Sequence, residues 1–289
     1  MKKIYLKMML ILCFTGLLLT SCYKEFDPAS YAPAFTINGY SSVNQIKHSN
    51  LIDYWAFQGG LSDSVTGVAA TNNGTTFVNG FIGKAIGLKV TNSAYVISDP
   101  AAALKGAQSF TISFWVNPTF VDANSDGGID GIIGFVNIAN NSDFWGYLDW
   151  FIENGSNPTS ATLKIHFRGT PSSDTWIVKS GVTGLFDKWS NHTLTYDATT
   201  SKMTYYMNGS VLVPSATAPW TGAVDFSGIG PLVFGCVQFQ TNPSLGTAGG
   251  SQGWASWLTG TLDEVRIYNA ALTADEVNAL VVLQGKAGK

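Results

Sequence analysis

The chain has 289 residues, with 16 basic and 19 acidic side chains, a formal net charge of −3, 12% charged residues, 13% aromatic residues and 31 glycines. Its charge fraction is about half that of an average soluble domain, while aromatics, Gly, Ser, Thr and Asn are abundant, which points to short strands joined by tight turns and excludes a chain disordered throughout. Without a Lys/Arg-rich stripe to grip a phosphate backbone, nucleic acid is not an expected partner.

The first residues carry Lys2, Lys3 and Lys7, and Met8 to Leu19 form an apolar stretch of signal-peptide length, too short to span a bilayer as a helix. Next comes Leu19-Thr20-Ser21-Cys22, which resembles the lipobox of bacterial lipoproteins, where cleavage precedes a cysteine that is then acylated. The resemblance implies a signal peptide over residues 1–21 and a lipid on Cys22; the alternative is a cysteine that merely follows a secretory cleavage site. Residues 22–49, rich in Ser, Pro, Ala, Asn and Tyr without a sustained period, read as the lipidated cysteine and a flexible tether. Glu25 and Asp27 are similar to the surface-export signals of Bacteroidetes lipoproteins, which implies a membrane partner through the anchor, at the bacterial outer membrane and facing the exterior. With Cys13 in the leader and Cys22 lipidated, Cys236 stands alone and no intradomain disulfide is expected. Set in Leu232-Val233-Phe234-Gly235-Cys236-Val237, it reads as a small buried apolar residue rather than a nucleophile.

After the tether, short strand-like runs alternate with turn residues, the pattern of a sandwich or barrel. The runs are Leu51–Phe57, Ala94–Ser98, Phe110–Val116, Gly131–Ile138, Trp145–Ile152, Ala161–Phe167, Trp176–Val178, Ser190–Tyr196, Lys202–Met207, Val211–Val213, Leu232–Val237 and Leu258–Tyr268. In the third run alternation puts Phe110, Ile112, Phe114 and Val116 on a core face, with Thr111, Ser113 and Trp115 on a half-wet one. Asn208-Gly209 between two runs predicts a type I′ hairpin. Only the end reads as helix: Thr273 can cap, Glu276 completes a capping box, and Val277 and Leu280 supply an apolar stripe. No repeat of solenoid or propeller period is visible.

Leu51–Phe57 with Asp63-Ser64-Val65-Thr66-Gly67, Gly83–Leu88, Phe110–Pro118, Trp189–Asp197, Tyr206-Met207-Asn208-Gly209, and Gly260–Asn269 with Leu272, Thr273 and Glu276 follow one another in order. Together these blocks resemble the laminin-G-like, concanavalin A-like lectin/glucanase family. The resemblance runs from about Leu51 to Leu280 and implies an all-β, concanavalin A-like jelly-roll β-sandwich of two antiparallel sheets with one short C-terminal helix, over residues 50–284. One departure stands out. Where the family often has His two residues after the Trp, this chain has Asn191, with His192 next.

Glucanases on this fold use two carboxylates about 5 Å apart, in a Glu-x-Asp-x-x-Glu or related spacing. No such run exists here, and the acids of Asp143–Glu153 and of Asp263-Glu264 lack that alternation, so no catalytic residue is expected. His48, His166 and His192 are isolated in sequence, without protease or triad spacing, and read as surface or strand residues. Asp263 would share a face with Val265 and Ile267 by alternation, and a carboxylate there needs a cation or several donors. The resemblance implies structural calcium; backbone amides are the alternative. Asp122, Asn124, Asp126 and Asp130, with Gly127 at the sixth position, follow part of a calcium loop, but the twelfth position is Ile133 rather than a bidentate acid, and a solvated turn is the alternative.

Sugars pack their C–H faces on exposed rings while amides and acids take their hydroxyls. Of nine tryptophans, Trp55, Trp115 and Trp189 lie in strong strand patterns and read as scaffold, whereas Trp145, Trp176, Trp220, Trp254 and Trp257 lie near loops rich in Gly, Ser, Asn and Gln and are the expected ligand-binding set. The leading expectation is a lectin-like surface lipoprotein that captures polysaccharide or glycan, with protein partners in a glycan-uptake system. A protein-binding adhesion module, or a divergent glycoside hydrolase, is the alternative.

Overall fold

The computed structural model describes residues 35–120, 131–153 and 157–288. In chain order the strands are β1 Leu51–Trp55, β2 Thr71–Asn73, β3 Thr76–Asn79, β4 Lys84–Leu88, β5 Tyr95–Ser98, β6 Phe110–Pro118, β7 Ile132–Ile138 and β8 Leu148–Glu153. They continue as β9 Ser160–Thr170, β10 Ser173–Thr183, β11 Ser190–Asp197, β12 Lys202–Met207, β13 Ser210–Thr217, β14 Leu232–Phe234, β15 Ala255–Ser256 and β16 Gly260–Tyr268. A single-turn helix α1, Ala102–Lys105, and a closing helix α2, Ala274–Ala287, complete the elements used below.

The strands form two 8-stranded sheets: β13-β12-β11-β6-β16-β4-β3 with β1 on β16, and β10-β9-β8-β7-β14-β5-β2 with β15 on β7. Pairing is antiparallel except for the two-residue β15, which runs parallel to β7. Between them lies one apolar core, because each strand turns alternate side chains inward. Phe110, Ile112 and Phe114 of β6 and Val265 and Ile267 of β16 meet Leu148, Trp150, Ile165, Phe167 and Phe234 of the second sheet, all buried. Large rings bridge the gap edge to face: Phe114 on Trp150 at 4.8 Å and Trp55 on Phe234 at 5.0 Å between centroids. The fold is the expected jelly-roll sandwich.

The hairpin forms as its turn residues dictate. Asn208 and Gly209 have φ of 52° and 77°, the left-handed pair of a type I′ turn, and Asn208 Oδ1 accepts the Asn191 amide at 2.8 Å. Helix α2 carries the expected capping box, with Thr273 Oγ1 accepting from Glu276 N at 3.2 Å and Glu276 Oε2 from Thr273 N at 2.8 Å.

Three sequence expectations are corrected. First, Thr111, Ser113 and Trp115 are buried rather than half-wet, because α2 and the loop carrying Phe81 cover that face of the first sheet. Phe81 stacks on Trp115 at 3.5 Å, and Trp115 Nε1 donates to Gln284 Oε1 of α2 at 2.9 Å. Second, the compact unit begins at Thr36, within the stretch read as a tether. Ile46 is buried with Leu280 and Leu283 of α2, and Ile37, Tyr40 and Val43 pack on the same cluster. Third, Asp263 does not share a face with Val265 and Ile267. Glu264 takes a φ of 54° and the β6–β16 register slips between Asp263 and Arg266, so Asp263 sits opposite Trp115, on the outer face.

Candidate functional site

On the outer face of the second sheet, strict alternation aims one row from each of three strands at the same surface. From β8 come Asp149, Phe151 and Glu153; from β9 Lys164, His166 and Arg168; from β10 Asp174, Trp176 and Val178. The antiparallel register places Asp149 opposite His166 and His166 opposite Trp176, forming a line across the sheet. His166 Nδ1 lies 3.0 Å from Asp149 Oδ2 and Nε2 lies 3.1 Å from Asp174 Oδ2.

Burial disfavours the imidazolium, but hydrogen bonds and charge from Asp149 and Asp174 outweigh it and hold the His166 pKa above its ordinary value. Fully buried Asp149 is also raised, by desolvation against the opposing pull of His166 and of the Gly146 amide. Both shifts have the same sign, so the pair as a unit retains its proton more tightly than either group would alone.

Trp145 lies over this line. Its ring is 5.3 Å from Trp176, 5.8 Å from His166, 5.4 Å from Phe239 and 6.4 Å from Trp254, and it is stacked 6.1 Å from Phe151. Phe144 stacks on Phe239 at 4.9 Å, and Phe239 meets Trp254 at 5.1 Å. The result is an aromatic platform whose floor is buried and whose two outer rings, Trp176 and Trp254, remain 43% and 44% exposed. Its charges are matched locally: Arg168 bonds Asp143, and Lys164 bonds Glu153 at 2.6 Å.

Two buried glutamines hold the loops that bear these rings. Gln238 Nε2 donates to the carbonyls of Asn140, Asp143 and Phe144 at 3.2, 3.0 and 2.9 Å, and its Oε1 accepts from Asn140 N at 2.6 Å, fixing the turn before Trp145. Gln240 Nε2 donates to Ala255 O at 3.0 Å and its Oε1 accepts from Gln252 N at 2.5 Å, fixing the turn that carries Trp254. Sequence reasoning missed both, since a buried glutamine has no local signature. It also read His166 as isolated, because its partners sit 17 and 8 residues away and meet it only through strand register.

The other expected residues fall elsewhere. Trp220 is not a ligand platform: it is buried in the intersheet core, 5.4 Å from Phe167 and 5.7 Å from Tyr196, over Gly169, where any Cβ would collide with its ring. Trp257 is half-buried away from the platform, packed on Tyr95, Val233 and Cys236, with Nε1 donating to Gln240 O at 3.1 Å. His192 is a core residue between Tyr205 and Ser190, its pKa lowered to about 3 by burial.

Asp263 is fully buried, Oδ2 accepting from Ile82 N at 2.9 Å and Oδ1 from Glu264 N at 2.8 Å. Both oxygens meet amide donors, and among the described residues no group of three or more His, Cys, Asp or Glu side chains converges as a metal shell. Asp122, Asn124, Asp126, Asp130 and Cys22 lie outside the described residues.

A family model for the concanavalin A-like lectin/glucanases superfamily matches residues 90–278, more than half of the chain. The chain belongs to that superfamily. Its sandwich is similar to the binding domain of Paraclostridial Mosquitocidal Protein 1, with a TM-score of 0.58 and 18% identity over 81% of this chain and 52% of that one. The binding domain of botulinum neurotoxin DC in complex with rat synaptotagmin II gives a TM-score of 0.56 and 16% identity over 83% of this chain and 52% of that one. Domain 4 of a GH43 extracellular arabinanase from Geobacillus stearothermophilus, in complex with arabinotriose, gives 0.53 and 18% identity over 80% of this chain and 98% of that domain. The superfamily member described here thus spans about half the length of the two toxin binding domains, and at these identities the likeness is one of fold. No curated protein matches the chain significantly.

Proposed function

We propose that the protein is a non-catalytic glycan-binding module whose binding face is the Trp145, Trp176 and Trp254 platform. The observation that carries this is the convergence of three tryptophans from separate loops and strands onto one face with two of the rings left exposed. A flat ring beside paired acids and amines suits the C–H face and the hydroxyls of a pyranose or furanose. The arabinotriose complex of a domain of the same fold supports the reading. Cys22 is the site of lipid attachment in this proposal, holding the module at the outer membrane toward the exterior, where captured glycan can pass to uptake proteins.

A glycan array probed with the full chain in mild detergent, once in calcium and once in chelator, tests the proposal. Saturable binding that Trp176→Ala weakens is the expected result; loss in chelator would add a calcium ion, for which the acids of the 122–130 loop are the candidates in sequence. Absence of binding to any plant, algal or host glycan would sink the glycan reading and turn the same face, with Trp176 and Val178 exposed on it, toward a protein ligand. Mass spectrometry of the N-terminal peptide of membrane-extracted protein tests the anchor: an unmodified Cys22 overturns it.

A further inference from the structure

We propose that a second glycan subsite lies beside the platform, and that the two together grip an extended, uncharged polysaccharide rather than one terminal sugar; this rests on the glycan reading of the platform. The subsite is a cleft of about 580 Å³ lined by Asn73, Ser93, Tyr95, Gln240, Asn242 and Trp257 and closed on one side by the 248–251 loop. Trp257, half-buried, supplies the ring surface, with buried Tyr95 beneath it. Asn242 and Ser93 form hydrogen bonds through their main chains, Asn242 N donating to Tyr95 Oη at 2.9 Å and Ser93 O accepting from Asn73 Nδ2 at 2.8 Å. Both residues line the cleft and carry a side-chain hydroxyl or amide of the kind that bonds sugar hydroxyls.

The lining holds amides, hydroxyls and rings but no charged side chain. On the platform Lys164, Arg168 and His166 are each matched to an acid. Neither subsite therefore offers a free charge to a uronic or sialic acid, and desolvating such a group there would cost more than it returned.

The two subsites share one piece of chain. Phe239 belongs to the platform and Gln240 to the cleft; Ala248 packs on the platform cluster and lines the cleft; Trp254 and Trp257 flank the two-residue strand β15. Gln240 pins the chain at Gln252 and Ala255, on the approach to β15, and receives Trp257 Nε1, so the spacing between subsites is built in. A ligand that fills both loses its freedom once, so the second contact adds in free energy and multiplies the affinity.

The test is calorimetry of the full chain with neutral oligosaccharide ladders of arabinose, glucose and mannose, from disaccharide to octasaccharide. Two variants address the cleft: Trp257→Ala removes its ring, and Gly250→Tyr plugs it from a position where an added Cβ meets nothing within 4 Å. Trp176→Ala addresses the platform. In one ladder, affinity is expected to rise about tenfold from trisaccharide to hexasaccharide, each cleft variant to remove that gain while leaving the trisaccharide unchanged, and Trp176→Ala to weaken every length. A flat length dependence, or a gain that survives both cleft variants, overturns the second subsite and leaves the platform reading standing if Trp176→Ala still weakens binding. Wild-type chain that binds no ladder, while binding an acidic glycan on an array, overturns the uncharged class; binding no glycan at all overturns the platform reading and the subsite with it.

Discussion

Trp220 and Trp176 are the same side chain in similar sequence surroundings, and the fold sends them to opposite sides of a sheet. Trp220 fills the space above Gly169 among Phe167 and Tyr196, so Trp220→Ala should lose about 3–5 kcal/mol of stability in urea unfolding through the cavity it leaves. Trp176→Ala, at a half-exposed position on β10, an edge strand, should change stability by less than about 1 kcal/mol while weakening glycan affinity. If both variants lost binding in proportion to stability, the distinction between core and platform would fail. Nothing local separates the two residues: Trp176 is assigned by its pairing with His166 across β9, and Trp220 by the loop that folds back over Gly169.

Elements show the same division. The β12–β13 hairpin and helix α2 were legible because their signals are local: Asn-Gly turns and capping boxes act within four residues. Thr273→Ala should cost about 1 kcal/mol by freeing the Glu276 amide, read as a lower urea midpoint at unchanged slope. Strand β16 was legible in place but not in facing, since the bulge at Glu264 is stabilised by partners on other elements as well as by Arg266: Glu264 accepts from Tyr54 Oη at 2.6 Å and from Gln284 Nε2 of α2 at 2.9 Å, besides Arg266 at 2.9 Å. The stretch around Ile46 looked like linker because its few apolar residues have no period; they acquire meaning only where α2 presents Leu280 and Leu283. Ile46→Ala should therefore cost about 2–4 kcal/mol in the same unfolding measurement, whereas a loosely hanging tether would show no loss.

For the whole molecule, buried titratable groups shape stability against pH, with Asp53, Asp263 and His166 acting in one direction. Burial raises Asp53 to about 7 despite the Ala101 amide, and raises Asp263 to about 7 despite the Ile82 amide. Unfolded carboxyls release their protons near 3.8, so between roughly pH 4 and 7 the native state holds protons the unfolded state has lost, and stability falls as pH rises through that window. His166, raised by its two carboxylates after the opposing effect of burial, adds stability that is complete below its unfolded value of 6.5 and lost as pH climbs through its higher native value. His192 opposes them: burial lowers it to about 3, so the unfolded imidazole takes up a proton below 6.5 that the native one refuses, and its share of stability rises with pH up to about 6.5. With the two raised carboxyls outweighing it, the melting temperature should still decline from pH 4.5 to 8, and Asp53→Asn should flatten the acid half of that decline. A profile that rises with pH would contradict the assignment.

Fold class, strand count in outline, hairpin, closing helix and the family blocks could all be read from residue order, because alternation, turn chemistry and capping are short-range effects that tertiary packing reinforces here rather than overrides. The platform could be read only as candidates: Trp145, Trp176 and Trp254 stand in the expected set beside Trp220 and Trp257, and nothing in residue order brings those three together. Its members Trp145, Trp176, Trp254 and His166 come from four separate segments, and which tryptophans are exposed depends on strand register and on buried glutamines that pin loops over distances of up to 98 residues along the chain. Residue order fixes which rings are available; only closure of the two sheets decides which of them face water.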